Sequence, residues 1–262
     1  MSHRARKRFG QNFLVEDAVI RRIVDAIAPA KGELLIEIGP GRGALTVPLV
    51  GSGADLLVLE IDRDLAGTLQ ARYEGRADIR VICGDALQTD PGELADDRAY
   101  RLVGNLPYNI STPLVFHVLE SRKAPVDMHF MLQKEVVERM AAKPGGKRYG
   151  RLSVMCQNQC EVVPLFDIDR SSFDPAPKVQ STLVRLLPRR EPLSGYAQMP
   201  DLNRVVRQAF SRRRKTLRNS LEGLIDANAL ESLGIDAGLR AEQLSVPDFI
   251  RLAGALTGND TA

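Results

Sequence analysis

The tetrapeptide Asn105-Leu106-Pro107-Tyr108 carries the groups best suited to chemistry on an exocyclic base amine. Such an amine, adenine N6 for example, is a poor nucleophile because its lone pair is delocalised into the ring. The Asn105 side-chain oxygen and the Leu106 carbonyl could accept its two protons and oppose that delocalisation. Tyr108 offers a ring for stacking, and Pro107 fixes φ without adding a competing N–H. The tetrapeptide therefore suits methylation of adenine N6, although the same residue types also suit a plain turn after a strand.

A glycine-rich segment, Glu37–Gly43, follows the first predicted strand and precedes an apolar segment. Its glycines permit a tight turn and a close approach of the backbone to a ligand at a helix N-terminus. With Ala44 the segment satisfies G-x-G-x-x-G/A, which is typical of both nicotinamide and S-adenosylmethionine enzymes. Glu60 ends the next strand about 20 residues later, where a carboxylate accepts hydrogen bonds from ribose hydroxyls. Both cofactors would use such a carboxylate.

Two further residues, Asp85 and Asn105, favour a nucleotide-type cofactor bound beside the tetrapeptide. Asp85 ends the third predicted strand and can accept from an adenine amino group, and Asn105 ends the fourth. Residues at the carboxyl ends of parallel strands meet along one edge, where such folds bind ligands. Taken singly, Asp85 suits a helix cap and Glu60 an exposed strand end. The complete set in register favours cofactor binding.

The order of apolar runs predicts an α/β fold. Between about residues 32 and 130, short apolar runs alternate with amphipathic stretches, which is typical of strands and helices in a doubly wound, mostly parallel sheet. Residues 16–28 show helical spacing, and Ser111 starts a second helix that runs through Leu119. The strand-like runs are Glu33–Ile38, Asp55–Glu60, Ile79–Cys83, Tyr100–Val103, Met128–Leu132 and Gln180–Leu187.

The segment 188–192 resembles a linker into a wholly helical tail. We therefore predict two domains, residues 1–187 for cofactor and base and residues 188–262 as a small all-helical domain. Within the tail, apolar residues from Val206 to Leu224 predict a stripe on one face, with basic residues on another. Lys143–Gly150 is predicted to be a mobile loop.

Charge is distributed unevenly, although 36 Lys and Arg against 33 Asp and Glu give a net charge of only +3. Two clusters contain no acidic residue, which favours contact with phosphates, whereas a single basic run is usually a solvated face. We expect RNA binding at Arg4, Arg6, Lys7, Arg8, Arg204, Arg207, Arg212, Arg213, Arg214, Lys215 and Arg218.

Composition limits the class of protein. The 262 residues are 44% hydrophobic, enough for a sizeable core, and no apolar run approaches the roughly 20 residues of a membrane span. The basic N-terminus runs into polar residues rather than a signal-peptide segment. The three cysteines predict neither a disulfide framework nor a zinc site, and Cys156 and Cys160 are expected to be buried. We expect a cytoplasmic protein with no membrane partner and no metal.

Seven motifs in order resemble the ribosomal RNA adenine N6-dimethyltransferase family, in particular its members that modify the small subunit. The resemblance spans nearly the whole chain. The motifs are Phe9–Leu14, Glu37–Gly43, Glu60–Asp62, Gly84–Ala86, Asn105–Ser111, Tyr149–Ser153 and Phe173–Val179.

The resemblance implies a Rossmann-like class I methyltransferase that uses S-adenosylmethionine and methylates two adjacent adenosines near the 3′ end of 16S ribosomal RNA. The expected partner is small-subunit RNA in a pre-30S particle, bound by a monomer. Phe173 would stack on the face of the adenine opposite Tyr108, although the residue alone suits ordinary core. The implied cofactor residues are Asn12, Leu14, Gly39, Glu60, Asp85 and Asn105, and the implied catalytic residues are Asn105, Leu106, Pro107, Tyr108 and Phe173.

Three other functions stay open at this point. The antibiotic-resistance branch, which dimethylates large-subunit ribosomal RNA, shares the cofactor and base motifs. The chain could instead act chiefly as a ribosome-assembly binding factor. A nicotinamide oxidoreductase fits the glycine segment but leaves Asn105–Tyr108 unexplained.

Overall fold

The computed structural model describes residues 11–121 and 123–257, which form two compact units. The first unit contains the described residues up to Val137 together with Val163–Pro188. The second contains Glu138–Val162 and the described residues from Arg189 onwards. Arg4, Arg6, Lys7 and Arg8, which we expect to bind RNA, lie outside the described residues.

The strands of the described chain form one large sheet and one small ribbon. In chain order the strands are β1 (Phe13–Leu14), β2 (Leu34–Ile38), β3 (Asp55–Glu60), β4 (Ile79–Cys83), β5 (Tyr100–Asn105), β6 (Met128–Gln133), β7 (Cys160–Ile168), β8 (Phe173–Asp174) and β9 (Ser181–Pro188). The large sheet has seven strands in the order β4-β3-β2-β5-β6-β9-β7, and β1 pairs with β8 in an antiparallel ribbon.

The sheet is parallel from β4 through β6, and β9 runs antiparallel to β6. Every residue of β2 is buried, because a central parallel strand is covered on both faces. The strand order reverses direction between β2 and β5. Open α/β sheets bind ligands in the crevice at such a point, beyond the carboxyl ends of the strands.

Helices connect these strands. The first, α1, begins at Asp17 and ends at Ile27, after which Ala28 has a φ of 47° and donates its N–H to the Val24 carbonyl. Asp62 caps the helix Arg63–Arg72 by accepting a hydrogen bond from the Asp64 N–H. The helices up to the start of the second unit are α1 (Asp17–Ile27), α2 (Thr46–Gly51), α3 (Arg63–Arg72), α4 (Pro91–Leu94), α5 (Ser111–Leu119) and α6 (Lys134–Met140).

The structure confirms the predicted mostly parallel sheet. Every predicted strand is present, with bounds that move by two residues or fewer. The predicted helix starting at Ser111 is also confirmed. Strand β7 and the ribbon strands β1 and β8 were not predicted, because only the two end residues of β7 are buried and the ribbon strands have only two residues each.

The second unit is mainly helical and contains a segment that we assigned to the first domain. The predicted boundary after residue 187 lies close to Arg189, but Glu138–Val162 belongs to the same unit as the C-terminal residues. Its helices are α7 (Arg151–Gln159), α8 (Met199–Ser211), α9 (Leu217–Ser220), α10 (Ala227–Ser232) and α11 (Val246–Thr257).

The apolar stripe of the tail is divided between helices. Val206 is buried on α8 and Leu217 on α9, and the chain turns between the two helices. The ring of Tyr149 packs edge-on against Phe210, whose ring in turn lies 5.6 Å from that of Phe249. This aromatic cluster joins Tyr149 to the C-terminal helices. Cys156 and Cys160 are both buried, as predicted.

Among the residues that the structure describes, no helix combines the length and the apolar character that a membrane span requires.

Candidate functional site

A pocket lies at the carboxyl ends of β2 to β5, entirely within the first unit. The parallel register brings together residues that are far apart in sequence, from Asn12 to Tyr108. Of the residues predicted to form the cofactor and base sites, the following line this pocket: Asn12, Leu14, Gly39, Glu60, Asp85, Asn105, Leu106, Pro107 and Tyr108.

The glycine segment forms one wall of the pocket. Gly39 and Gly41 have φ values of 66° and 59°, in the left-handed region that favours glycine. The Gly39 N–H donates to the Leu59 carbonyl at 2.9 Å, which holds the turn against β3. A Cβ on Gly41 would lie 2.9 Å from the Phe13 ring, so the close approach of β1 to this turn also requires glycine.

Glu60 fixes the glycine segment to the end of β3. Its Oε2 accepts from the Gly41 N–H at 3.0 Å, and its Oε1 accepts from the Asp62 N–H at 2.9 Å. Each carboxylate oxygen has a second lone pair that could accept from a ligand hydroxyl. Burial raises the pKa of Glu60, while the two backbone hydrogen bonds oppose that shift. The two hydrogen bonds therefore fix the orientation of a carboxylate that lines the pocket.

A second carboxyl group, Glu37, lies beside Glu60, and sequence analysis assigned it no separate role. Glu37 is 2% exposed and accepts a hydrogen bond from the Thr46 hydroxyl at 2.7 Å. Burial raises its pKa to about 7, and the negative charge of Glu60 acts in the same direction. The signal that could have identified Glu37 is an acidic residue inside the otherwise apolar strand Leu34–Ile38.

Asp85 follows the end of β4, as the sequence predicted. Its Oδ1 accepts from the Leu87 N–H at 2.9 Å, and its backbone carbonyl accepts from the Thr89 hydroxyl at 2.8 Å. Asp85 thus shapes the local turn and lines the pocket at the same time. A carboxylate held in this way can accept from an amino group of a ligand in the pocket.

Asn105 ends β5 at the centre of the site. Its Nδ2 donates to the backbone carbonyl of Asn12 at 2.8 Å. The preceding residue must be glycine, because a Cβ on Gly104 would lie 2.5 Å from the Ile38 carbonyl oxygen of the adjacent strand. The close approach of β2 and β5 therefore sets the position of Asn105 relative to the glycine segment.

Tyr108 completes the tetrapeptide with a ring whose hydroxyl is also fixed. The hydroxyl forms a hydrogen bond of 2.7 Å with Ser181 Oγ at the start of β9, and burial raises its pKa. Pro107 accepts from the Ile110 N–H through its carbonyl, so the tetrapeptide ends in a defined turn. The ring of Tyr108 lies at the pocket wall, where it can stack on a planar ligand.

Phe173 is not part of the pocket lining. It is 4% exposed and belongs to the core cluster that includes Leu14, its partner in the β1–β8 ribbon. Its predicted stacking on adenine stays a prediction and would require the ribbon or the side chain to move. Ordinary core was the alternative that the residue type alone suggested, and the observed packing has that character.

The β1–β8 ribbon is fastened to the glycine segment by Arg42. The guanidinium Cζ lies 4.3 Å from the centre of the Phe13 ring, and Nη1 pairs with Asp174 Oδ2 at 3.1 Å. Phe13 and Asp174 are register partners in the ribbon. Sequence analysis did not identify this contact because Asp174 lies more than a hundred residues from Arg42.

The predicted RNA-binding residues of the second unit are exposed, but one of them differs from the rest. The Arg213 side chain pairs with Glu242 at 3.1 Å and donates to the backbone carbonyls of Tyr149 and Lys147. Arg213 therefore links separate segments of the second unit. The other exposed residues of this set are Arg204, Arg207, Arg212, Arg214, Lys215 and Arg218.

Comparison with known proteins identifies the family of the chain. The sequence model of the family described as ribosomal RNA adenine dimethylase matches residues 2–257. The chain belongs to the ribosomal RNA adenine dimethylase family. Its curated relatives include ribosomal RNA small subunit methyltransferase A of Pseudomonas putida, 52% identical over 99% of this chain and 98% of the relative. The protein of the same name from Nitrosococcus oceani is 53% identical over 96% of each chain.

Solved structures support the same fold. A dimethyladenosine transferase from Plasmodium falciparum has a TM-score of 0.81 and 26% identity, covering 95% of this chain and 98% of that one. The 23S rRNA methyltransferase ErmE has a TM-score of 0.74 and 27% identity, covering 94% of this chain and 100% of that one. The fold is that of the class I methyltransferases, as predicted.

Proposed function

We propose that this protein transfers methyl groups from S-adenosylmethionine to N6 of two adjacent adenosines near the 3′ end of small-subunit ribosomal RNA. The observation that carries the proposal is the meeting of two residue sets in one pocket. Gly39, Glu60 and Asp85 suit a nucleoside cofactor, and Asn105–Tyr108 suits a base amine. Membership of the adenine dimethylase family supports the same chemistry.

The residues of the pocket fit S-adenosylmethionine. Gly39 and Gly41 leave room for a ligand against the backbone, and the fixed Glu60 carboxylate can accept from two ribose hydroxyls. Asp85 can accept from an adenine amino group. When bound, the cofactor would supply a methyl group on a positively charged sulfur, which is already a good leaving group.

Asn105 and its neighbours would hold and activate the target amine. In this proposal Asn105 Oδ1 and the Leu106 carbonyl accept from N6, which keeps the nitrogen lone pair directed at the methyl group. Tyr108 holds the base by stacking, a contribution of roughly 1–3 kcal/mol per base. The nucleotide must leave any stack to enter the pocket, so an unpaired loop adenosine would enter at least cost.

Dimethylation adds a requirement that follows from counting protons. Each transfer forms an N6–methyl bond as the methyl–sulfur bond breaks, and N6 then releases one proton to solvent. After the first transfer N6 keeps a single N–H, so one of the two acceptors loses its donor. We therefore expect the monomethylated base to leave and rebind between transfers. A time course with limiting enzyme should show N6-monomethyladenosine before the dimethylated product, and its absence throughout would contradict release.

The small-subunit target is favoured over the large-subunit one by sequence similarity. The relatives named small subunit methyltransferase A share about half of their residues with this chain, whereas the 23S rRNA methyltransferase ErmE shares 27%. We further propose that the substrate is a pre-30S particle, bound in the cytoplasm by a monomer.

The direct test uses radiolabelled S-adenosylmethionine with undermethylated small subunits and, in parallel, large-subunit RNA. After digestion, labelled dimethyladenosine from the small subunit alone is the expected result. Label from the large subunit alone would move the protein to the resistance branch. If Asn105→Ala lacks transfer but restores subunit assembly in cells, the assembly-factor role would be the main one.

A further inference from the structure

The loop between α6 and α7, Lys143–Arg148, carries three exposed basic side chains that have no role in the proposed reaction. The sequence predicts a mobile loop, and in the structure its backbone is hydrogen-bonded to the C-terminal part of the second unit. The Gly145 N–H donates to the Glu242 carbonyl at 2.7 Å, and the Arg213 guanidinium donates to the carbonyls of Lys147 and Tyr149.

The charges of this loop point outward. Lys143, Lys147 and Arg148 are all exposed, and no ion pair of either lysine is found among the residues that the structure describes. Arg148 pairs with Glu138 at 3.1 Å but keeps 61% of its side chain exposed. The anchoring contacts use backbone groups of the loop, so they leave the lysine ammonium groups available to solvent.

The same contacts bring the loop next to the basic cluster of the tail. Arg213, which holds Lys147, is flanked in sequence by Arg212 and Arg214, both exposed. A second attachment joins Arg151, at the start of α7, to Asn203 on α8 at 3.1 Å. These contacts place the loop beside the segment that carries the basic cluster, within a single unit, although Lys147 and Arg213 are 66 residues apart in sequence.

We infer that Lys143 and Lys147 belong to the RNA-binding surface of this protein and contact phosphates together with Arg212, Arg214 and Lys215. The inference rests on the proposed function, which supplies the RNA. Glu242 pairs with Arg213 and Glu138 pairs with Arg148, so neither carboxylate neutralises the positive charge of Lys143 or Lys147. Lysine is depleted in protein–protein interfaces, whereas phosphate backbones attract dispersed Lys and Arg, so the composition favours RNA over a protein partner.

The test is the double variant Lys143→Ala, Lys147→Ala, with Lys31→Ala, Arg80→Ala as a control of equal charge change. Lys31 and Arg80 are exposed in the first unit. Binding of undermethylated small subunits and of protein-free small-subunit RNA is measured across a salt series. The loop variant should bind both about three-fold or more weakly, and its salt slope should fall by about one for each phosphate that the variant no longer neutralises.

Cofactor binding separates a folding defect from weaker phosphate binding. Both variants should bind S-adenosylhomocysteine as the wild type does, because the pocket lies in the first unit. An unchanged salt slope for the loop variant would overturn the inference. Weaker binding to whole subunits but not to protein-free RNA would also overturn it, because the lysines would then contact a ribosomal protein. If the wild type bound neither RNA nor subunit, the proposed function itself would fail, and the inference with it.

Discussion

The side chain of Asn105 is oriented by the backbone of Asn12, whose carbonyl accepts from Asn105 Nδ2 at 2.8 Å. Because the amide nitrogen faces Asn12, the carboxamide oxygen faces away from it. Asn12, which lines the pocket, therefore also sets the direction of the group proposed to accept from adenine N6. Phe13, the residue after Asn12, is held in turn by Arg42.

Replacement of Asn105 should separate chemistry from binding. Asn105→Ala is expected to lower the rate of methyl transfer by roughly 10²-fold or more, as happens when one preorganised polar group is removed from an active site. RNA affinity should change little, because the basic residues of the second unit that we propose to bind RNA lie outside the pocket. Single-turnover transfer and filter binding measure the two quantities. Asn228→Ala, an exposed asparagine of the second unit, is the control, and equal losses in rate and affinity would contradict the role.

Glu60→Gln should weaken cofactor binding. Both carboxylate oxygens accept backbone N–H groups, and a glutamine side chain would present an NH₂ group to one of those donors. The glutamine also lacks the charge that strengthens hydrogen bonds from ribose hydroxyls, which contribute about 1.5–3 kcal/mol each when the acceptor is charged, so we expect a roughly ten- to hundred-fold loss of affinity for S-adenosylhomocysteine by calorimetry. Glu74→Gln, at an exposed site of the same unit, should bind normally. Normal binding by both variants would remove Glu60 from the site.

The sheet could be predicted from the sequence because its strands carry local signals. Continuous apolar runs such as Leu34–Ile38 are typical of strands buried on both faces, and parallel strands align their carboxyl ends without further information. This is why Gly39, Glu60, Asp85 and Asn105 were predicted to meet, and they do line one pocket.

The features that the sequence did not predict depend on contacts between residues far apart in sequence. The burial of Phe173 follows from its pairing with Leu14 across the β1–β8 ribbon. The loop Lys143–Gly150 has the composition of a mobile segment because glycine, proline and lysine dominate it, whereas the arginine that donates to its backbone carbonyls, Arg213, lies 66 and 64 residues further along the chain. Neither partnership leaves a pattern in the local sequence.

Gly104→Ala should destabilise the first unit at the β2–β5 contact. The added methyl group would lie 2.5 Å from the Ile38 carbonyl oxygen, so the two strands must separate, at a cost of about 1–3 kcal/mol or more. Gly67→Ala is the matched control, because Gly67 lies within α3 with nothing within 4 Å of the added atom. Urea unfolding should show the control stabilised by up to about 1 kcal/mol. Equal stability of the two variants would refute the steric argument.

Glu37 should make stability depend on pH. Its pKa is raised from 4.5 to about 7 by burial, so the folded protein binds a proton that the unfolded chain releases between those values. The contribution of this group to stability is therefore complete below about pH 4.5 and falls as pH rises towards 7, by roughly 3 kcal/mol. Glu37→Gln, which has no proton to lose, should show a flatter profile in urea unfolding at several pH values. Parallel profiles for variant and wild type would contradict the shift.

Two adjacent arginines should behave differently when each is replaced by alanine. Arg213→Ala removes the ion pair with Glu242 and the hydrogen bonds to the loop carbonyls, so we expect a lower melting temperature and a loss of roughly 1 kcal/mol or more. Arg214→Ala removes an exposed charge, so the melting temperature should stay the same while RNA binding weakens and its salt slope falls by about one.

The two variants distinguish an arginine that stabilises the second unit from one that binds RNA. The substitution and the neighbouring sequence are the same in both, so only the contacts of the side chain differ. Differential scanning calorimetry measures stability, and a salt titration of RNA binding measures the electrostatic contact. If Arg213→Ala leaves the melting temperature unchanged and lowers the salt slope as Arg214→Ala does, both side chains face the RNA. The contact of Arg213 with the loop would then contribute little to the stability of the second unit.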